Sequence, residues 1–449
     1  MGKTRLLGMS KYTPDEAMFG QQPSLIAPTF PFVIGWQVRN FGEWACEHNL
    51  VTKDTTSIQA YTQTHSRNWN FRASIEPVRD LKIDLTMLHN YSENQTKYYR
   101  YGIDPATGVG TFRGLNPSMT GTFSMSTVTI KSAFEKFKSE NYVSETFAQF
   151  SDNRIIIAER LAKERPDYNP SDIDEDGFPS GFGRTSQDVL IPAFFAAYTG
   201  QDPNTVKLNT IPGLWSALPN WQVVYDGLGK IPKLKKVFRS VSLKHSYRST
   251  YNIGSFQTRL ANEYDPDDNG LNQIRDQLNN FYSRYVINGI SISEQLSPLI
   301  SFDMMLVNSM TVKVEVKKTR NLTMSFSNNQ LTEVKNNELI IGAGYRFKDV
   351  ALTINIGSRK RDLKSDLNLR FDFSARKQIT MIRKLEESQD QPTSGNIQYT
   401  IKLSADYVLS NRFNVSLFYD QSINNPIVGT SFKTITAKVG IMMRFTLAT

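Results

Sequence analysis

From Leu339 to Phe445 the chain repeats one pattern with a period of two. Ile341, Ala343, Tyr345 and Phe347 alternate with Ile340, Gly342, Gly344 and Arg346, and after Lys348-Asp349 the apolar set resumes as Val350, Leu352, Ile354 and Ile356. Leu367, Leu369, Phe371 and Phe373 alternate with Asp366, Asn368, Arg370 and Asp372. Ile397, Tyr399, Ile401, Leu403, Ala405 and Tyr407 do the same against Gln398, Thr400, Lys402, Ser404 and Asp406. Successive side chains of a strand point to opposite faces, so each segment has one apolar and one polar face. Long strands with no helix between them predict an antiparallel meander. What the apolar face meets then decides the class.

The last such segment favours lipid. Ile435, Ala437, Val439, Ile441, Met443, Phe445 and Leu447 share one face, and Lys438, Gly440, Met442 and Arg444 lie on the other. That run exceeds the roughly 9–11 residues a tilted strand needs to cross a bilayer. Lys438-x-Gly440-x-x-Met443-x-Phe445 also resembles the C-terminal signal by which bacterial outer-membrane barrels are recognised for insertion. The competing reading is an edge strand of a soluble β-sandwich with Phe445 in its core, but soluble strands usually run nearer 5–6 residues.

Composition is compatible with a barrel. The 449 residues contain no apolar run long enough for a transmembrane helix, and a barrel needs none. The 19 Tyr and 27 Phe suit a β-rich core or an interfacial aromatic girdle. The net charge of +9 comes from cations scattered singly on polar strand faces (Lys313, Lys317, Arg346, Arg370, Lys402, Arg444). A nucleic-acid binder would cluster them, so no nucleic-acid partner is expected. Arg370, Lys402, Asp406 and Arg444 are instead expected to face a wet lumen. Cys46 is the only cysteine, which excludes a disulfide framework. Met1–Ser10 lacks the apolar core of a secretory signal. A barrel reaches the outer membrane only with one, so either the barrel reading fails or this is the C-terminal piece of a longer chain.

Taken in order, residues 1–134 read as an irregular start broken by Pro14, Pro23, Pro28 and Pro31, then the first strands. A strand is expected near Val33–Arg39, a hairpin over Asn68–Met87, a long polar loop over Asn90–Gly121, and strand again over Phe123–Phe134. Residues 135–220 interrupt the pattern. Ser144-Glu145 predicts a cap for a helix running to about Lys163, which Pro166 ends, and Val189–Tyr198 reads as a second helix. So long an insertion is expected to be a folded cap or a lumen-filling element. Residues 221–449 return to strands: Trp221–Tyr225, Val237–Phe256, Val286–Glu294, Leu299–Leu306, Thr311–Val316, Asn321–Phe326 and the segments above. The candidates number about fourteen.

Chemistry-bearing motifs are sparse. Asp265-x-Asp267-x-Asn269-Gly270, with Asp276 further on, resembles half of a calcium loop, and Asp172-x-Asp174-x-Asp176-Gly177 is similar. Alternate oxygens around a glycine suit Ca2+, but an acidic surface turn is the favoured reading of each, and no other cofactor is suggested. The four histidines are scattered, with no nucleophile elbow or dinucleotide loop. A Ser-His lipid hydrolase therefore has little to stand on, and no enzyme is expected.

Several stretches resemble the SprA/Sov family, the giant outer-membrane translocon of type IX secretion in Bacteroidetes. They are Gly183-Arg-Thr-Ser-Gln-Asp-Val-Leu-Ile-Pro-Ala-Phe194 with Tyr198-Thr-Gly-Gln-Asp-Pro-Asn204, Val237–Tyr251, Ile290–Ile300, Ser327–Val334 and Ser404–Ser410. The likeness runs from about Gln59 onward and includes loops as well as strands. It implies the C-terminal segment of one very wide barrel, of the class with about 36 strands, that passes folded cargo across the outer membrane of a Gram-negative bacterium and serves gliding motility. It also implies a small PorV-type barrel at a lateral gate and a periplasmic plug as partners. The alternatives are an autonomous outer-membrane channel for small or hydrophobic solutes and a soluble β-sandwich adhesin.

Overall fold

The computed structural model describes residues 4–5, 41–47, 51, 53, 60–103, 108–135, 142–259, 272–356, 359–386, 390–410 and 413–445. The strand expected near Val33–Arg39 lies outside them. The chain is all-β, with antiparallel strands in a single sheet of fourteen. The strands are β1 (Thr4–Arg5), β2 (Ala60–Val78), β3 (Leu81–Ile103), β4 (Gly110–Ser126), β5 (Asn220–Tyr225), β6 (Phe238–Thr258) and β7 (Tyr285–Ile287). They continue as β8 (Gly289–Leu306), β9 (Thr311–Ser325), β10 (Gln330–Ile356), β11 (Arg359–Lys384), β12 (Asp390–Ser410), β13 (Phe413–Val428) and β14 (Thr434–Phe445). The helices are α1 (Phe41–Glu47), α2 (Ile130–Ala133), α3 (Glu145–Lys163), α4 (Gln187–Thr199) and α5 (Pro232–Lys235). None is long and apolar enough to cross a membrane.

From β8 to β14 each strand pairs with its sequence neighbour, as a meander requires. Reversals are tight, and residues that tolerate a left-handed backbone mark several of them: Asp80 (φ 69°), Ser309 (φ 68°) and Asn329 (φ 47°). The expected break at Lys348-Asp349 is a bulge inside β10, where Asp349 takes φ 54° and the register with β11 shifts between Phe347 and Val350. Two further expectations merge into longer strands. Thr311–Val316 and Asn321–Phe326 form most of β9, and β8 runs unbroken through a bulge between Leu296 and Ile300.

The long loop expected over Asn90–Gly121 is a correction. Its residues form the upper part of β3 and most of β4, in register from His89↔Met125 to Ile103↔Gly110. Its apolar residues, such as Tyr91, Tyr101 and Phe112, are interspersed among polar ones with no sustained period of two, and pairing with neighbours holds the extended chain instead. The strand expected over Phe123–Phe134 ends at Ser126, and α2 follows.

β4 and β5 occupy one position between β3 and β6. β4 pairs with the upper part of β3, and β5 pairs with Leu81–Thr86 and with Leu243–Tyr247 of β6. Residues 127–219 are thus an excursion from within a single strand position. Its neck is closed by Leu218 N–H donating to Ser126 O at 3.1 Å and by Thr127 N–H donating to Ser249 O at 3.1 Å. Within it, Ser144 caps α3 by accepting from Phe147 N–H at 3.1 Å, with Arg160 and Lys163 in the last turn. α4 is apolar all round and buried from Val189 to Tyr198, as a helix enclosed on every side must be.

The core lies under this excursion. Phe150 and Ile157 of α3 and Leu190, Phe194 and Tyr198 of α4 pack with Phe123, Tyr251, Ile292, Leu322 and Met324 of the sheet. Those strand residues lie on the face that carries the apolar alternation. The insertion therefore covers the upper half of the apolar face.

Candidate functional surfaces of the sheet

Strand register turns each alternation into a continuous row. On the apolar face, Phe302, Val314, Ile341, Phe373 and Ile401 follow one another across β8 to β12. Val312, Ala343, Phe371, Leu403, Tyr419 and Val439 form the next row, from β9 to β14. The band extends to the other side of the sheet through Leu85↔Trp221↔Tyr247 and Ile83↔Val223↔His245. In its lower half no described residue covers it: Val439, Ile441 and Phe445 are 75%, 64% and 67% exposed. Aromatic side chains gather at its rim, with Tyr345 against Phe347 and Phe413 stacked on Phe445 at 4.2 Å.

The opposite face carries the expected charges together. Arg370 pairs with Ser404, Lys402 with Asp372 and Asp420, Asp406 with Asn368 and Ser416, and Arg444 with Asn414. All four thus share the polar face, on β11, β12 and β14. Assembled across seven strands, one row reads Asp303, Lys313, Gly342, Asp372, Lys402, Asp420, Lys438. Its charges alternate in sign, the arrangement that favours cross-strand pairing. Gly342 is the gap in the row. A Cβ there would lie 2.9 Å from Asp372 Oδ1, so the absent side chain leaves room for that carboxylate.

The expected insertion signal divides between the faces. Lys438 and Gly440 are on the polar face, with the Phe418 ring over Gly440 where a Cβ would stand 2.7 Å from it. Met443 and Phe445 are on the apolar face. Among the described residues β14 pairs with β13 alone.

Of the calcium candidates, Asp265, Asp267 and Asn269 lie outside the described residues. Asp276 closes its own turn: its Oδ1 accepts from Leu278 N–H (2.9 Å) and Asn280 N–H (2.8 Å). Asp174 repeats this geometry, accepting from Asp176 N–H (2.9 Å) and Phe178 N–H (2.8 Å). The two loops lie side by side, joined by Gly183 N–H donating to Asn280 Oδ1 at 2.7 Å. Both acids thus have a turn-closing task. Among the described residues no group of three or more metal-binding side chains occurs.

Charged residues that the sequence did not single out bind the excursion to the sheet. Arg320 pairs with Glu294 at 2.9 Å and donates to Ser132 O and Thr129 O of the excursion. Arg383 pairs with Glu333 and Asp390 and donates to Tyr142 O. Burial opposes the charge on Glu135, but hydrogen bonds from Thr146 and Ser144 outweigh it and hold the carboxyl below its ordinary value. Nothing in the alternation marks these positions. No protein-family model and no curated protein matches this chain.

Proposed function

We propose that this chain forms part of the wall of an outer-membrane β-barrel that conducts proteins, of the kind that type IX secretion uses. The observation that carries the reading is the two-faced sheet. One face is apolar from β2 to β14 and bare in its lower half, and the other is polar with charges of alternating sign. Soluble monomers rarely expose a contiguous apolar patch beyond a few hundred Å2. On β14 the apolar residues run from Ile435 to Phe445. Ten residues along a strand span about 34 Å, and a tilt of about 35–45° reduces that to the ~25 Å apolar band of outer-membrane barrels. Placed in a bilayer, the apolar face meets lipid, the polar face lines the lumen, and the excursion lies outside the hydrocarbon region on the outward face.

That β14 has one strand neighbour among the described residues fits a segment of a wider barrel. Unpaired backbone groups are untenable in hydrocarbon, so another strand is needed beside it. With the family resemblance, that makes the chain the C-terminal part of a much longer polypeptide, with folded cargo in the lumen. A small PorV-type barrel and a periplasmic plug are its proposed partners.

The test is the mass of the native polypeptide in the outer-membrane fraction, detected with an antibody to this chain. A band several times larger than 51.1 kDa supports the translocon segment. A membrane band near that mass makes the chain an autonomous channel. Recovery in the aqueous fraction without detergent sinks the membrane reading.

A further inference from the structure

A cavity of about 660 Å3 opens where the bare half of the apolar face meets the excursion. β2 and β3 supply Arg67, Trp69, His89 and Tyr91, the end of α3 supplies Glu164 and Arg165, and Arg284 closes the far side. His89 is the singular feature. It is 5% exposed, and neither ring nitrogen has a hydrogen-bond partner. A neutral imidazole holds one donor and one acceptor, and leaving buried polar atoms unsatisfied is costly.

The cations at the wall differ in how far they are committed. Arg165 is held by Asp167 at 2.9 Å and donates to Asn272 O. Arg67 and Arg284 are exposed and form no ion pair among the described residues. Each guanidinium lies over an aromatic ring, 5.2 Å from Tyr91 and 5.4 Å from Tyr285. Of the two acids at the cavity, Glu164 is exposed, and burial pushes the Asp188 carboxyl up, which weakens its claim on a cation.

The cavity has an apolar exit. Trp69 continues along the same face of β2 into Phe71, Ile75 and Val78, all exposed. We propose that this cavity binds an amphiphile with a phosphate-bearing headgroup, its head between Arg67, His89 and Arg284 and its acyl chain along Trp69, Phe71, Ile75 and Val78. Guanidinium donors match phosphate oxygens, and a tryptophan at the junction suits the headgroup level of a membrane. The proposal rests on the membrane reading above.

The test titrates detergent-solubilised full-length chain with phosphatidylglycerol and, in parallel, phosphatidylcholine of the same acyl chains, counting bound lipid by native mass spectrometry. The expected result is one phosphatidylglycerol adduct that Arg67→Gln with Arg284→Gln weakens about tenfold or more, as loss of charge-assisted hydrogen bonds should. Trp69→Ala should weaken adducts of both lipids, whereas Lys433→Gln, on an exposed loop, should change neither. Equal binding of both lipids, or indifference to the double substitution, overturns the proposal and leaves the membrane reading standing. Inorganic phosphate that displaces the lipid at comparable concentration makes this a free-anion pocket and also overturns it. A chain that stays in solution without detergent removes both.

Discussion

Glu294 and Arg320 face each other across β8 and β9, 2.9 Å apart, with 2% and 1% of their side chains exposed. They lie on the apolar face of the sheet, where charge has no place unless something else is held there. That something is the excursion: Thr129 Oγ1 donates to Glu294 at 2.7 Å, and Arg320 reaches Ser132 O at 2.8 Å. The pair fastens a folded insertion to a strand surface by hydrogen bonds that survive only without water.

Breaking one partner leaves the other buried and uncompensated, at a cost of about 3–5 kcal/mol. Arg320→Met should therefore loosen residues 127–219 and expose them to limited proteolysis while β10–β14 stay resistant. Peptide mapping of the digest checks this. Cleavage no faster than in the parent would show that apolar packing alone secures the insertion.

A paired substitution on β14 separates the two faces. Val439→Lys should cost about 2–4 kcal/mol of folding free energy in a bilayer. Met442→Lys, on the polar face, should cost within about 0.5 kcal/mol, as surface changes usually do. Denaturant titration in lipid vesicles reads the difference, and equal costs would contradict the assignment of faces.

The charge rows should govern passage. Replacing Arg370, Lys402, Asp406 and Arg444 together with leucine should slow export of folded cargo without reducing the amount of barrel in the membrane. Unchanged secretion, measured in the culture fluid, would separate these residues from transport.

Asp188 gives a pH signature. Burial raises its folded-state pKa above the unfolded value, against hydrogen bonds from Ser283 and Thr210 that lower it. The stability it contributes is fully present below the unfolded pKa and lost as pH rises through the folded one. Asp188→Asn should flatten that fall and raise Tm at neutral pH. A Tm profile parallel to the parent's would show that the carboxyl is solvated.

Legibility followed physical uniformity. Where one face meets one environment, as in Leu367–Phe373 or Ile435–Phe445, the period of two is clean and both strand and face could be read. It fails where environments change along a strand. Leu322 and Met324 are core but Arg320 is a clamp, so β9 looked like two pieces. Phe418 lies on the polar face over Gly440, and Gln421 stands on the apolar face, so the sequence named no strand for β13. Without β13 the row of alternating charges had no Asp420 and could not be assembled. Ser144 was legible as a cap because capping is local, whereas the cavity around His89 joins residues from six distant stretches.

Among the described residues β14 has one strand neighbour, and its two faces are already committed. A strand that joins there must match the phase of the alternation as well as the hydrogen-bond ladder. Shifted by one residue, the newcomer would turn every polar side chain beside Val439 and Ile441 and every apolar one beside Lys438. The edge therefore reads parity before it reads identity. Lys438, last in its row, further favours a strand bringing an acid at that one position.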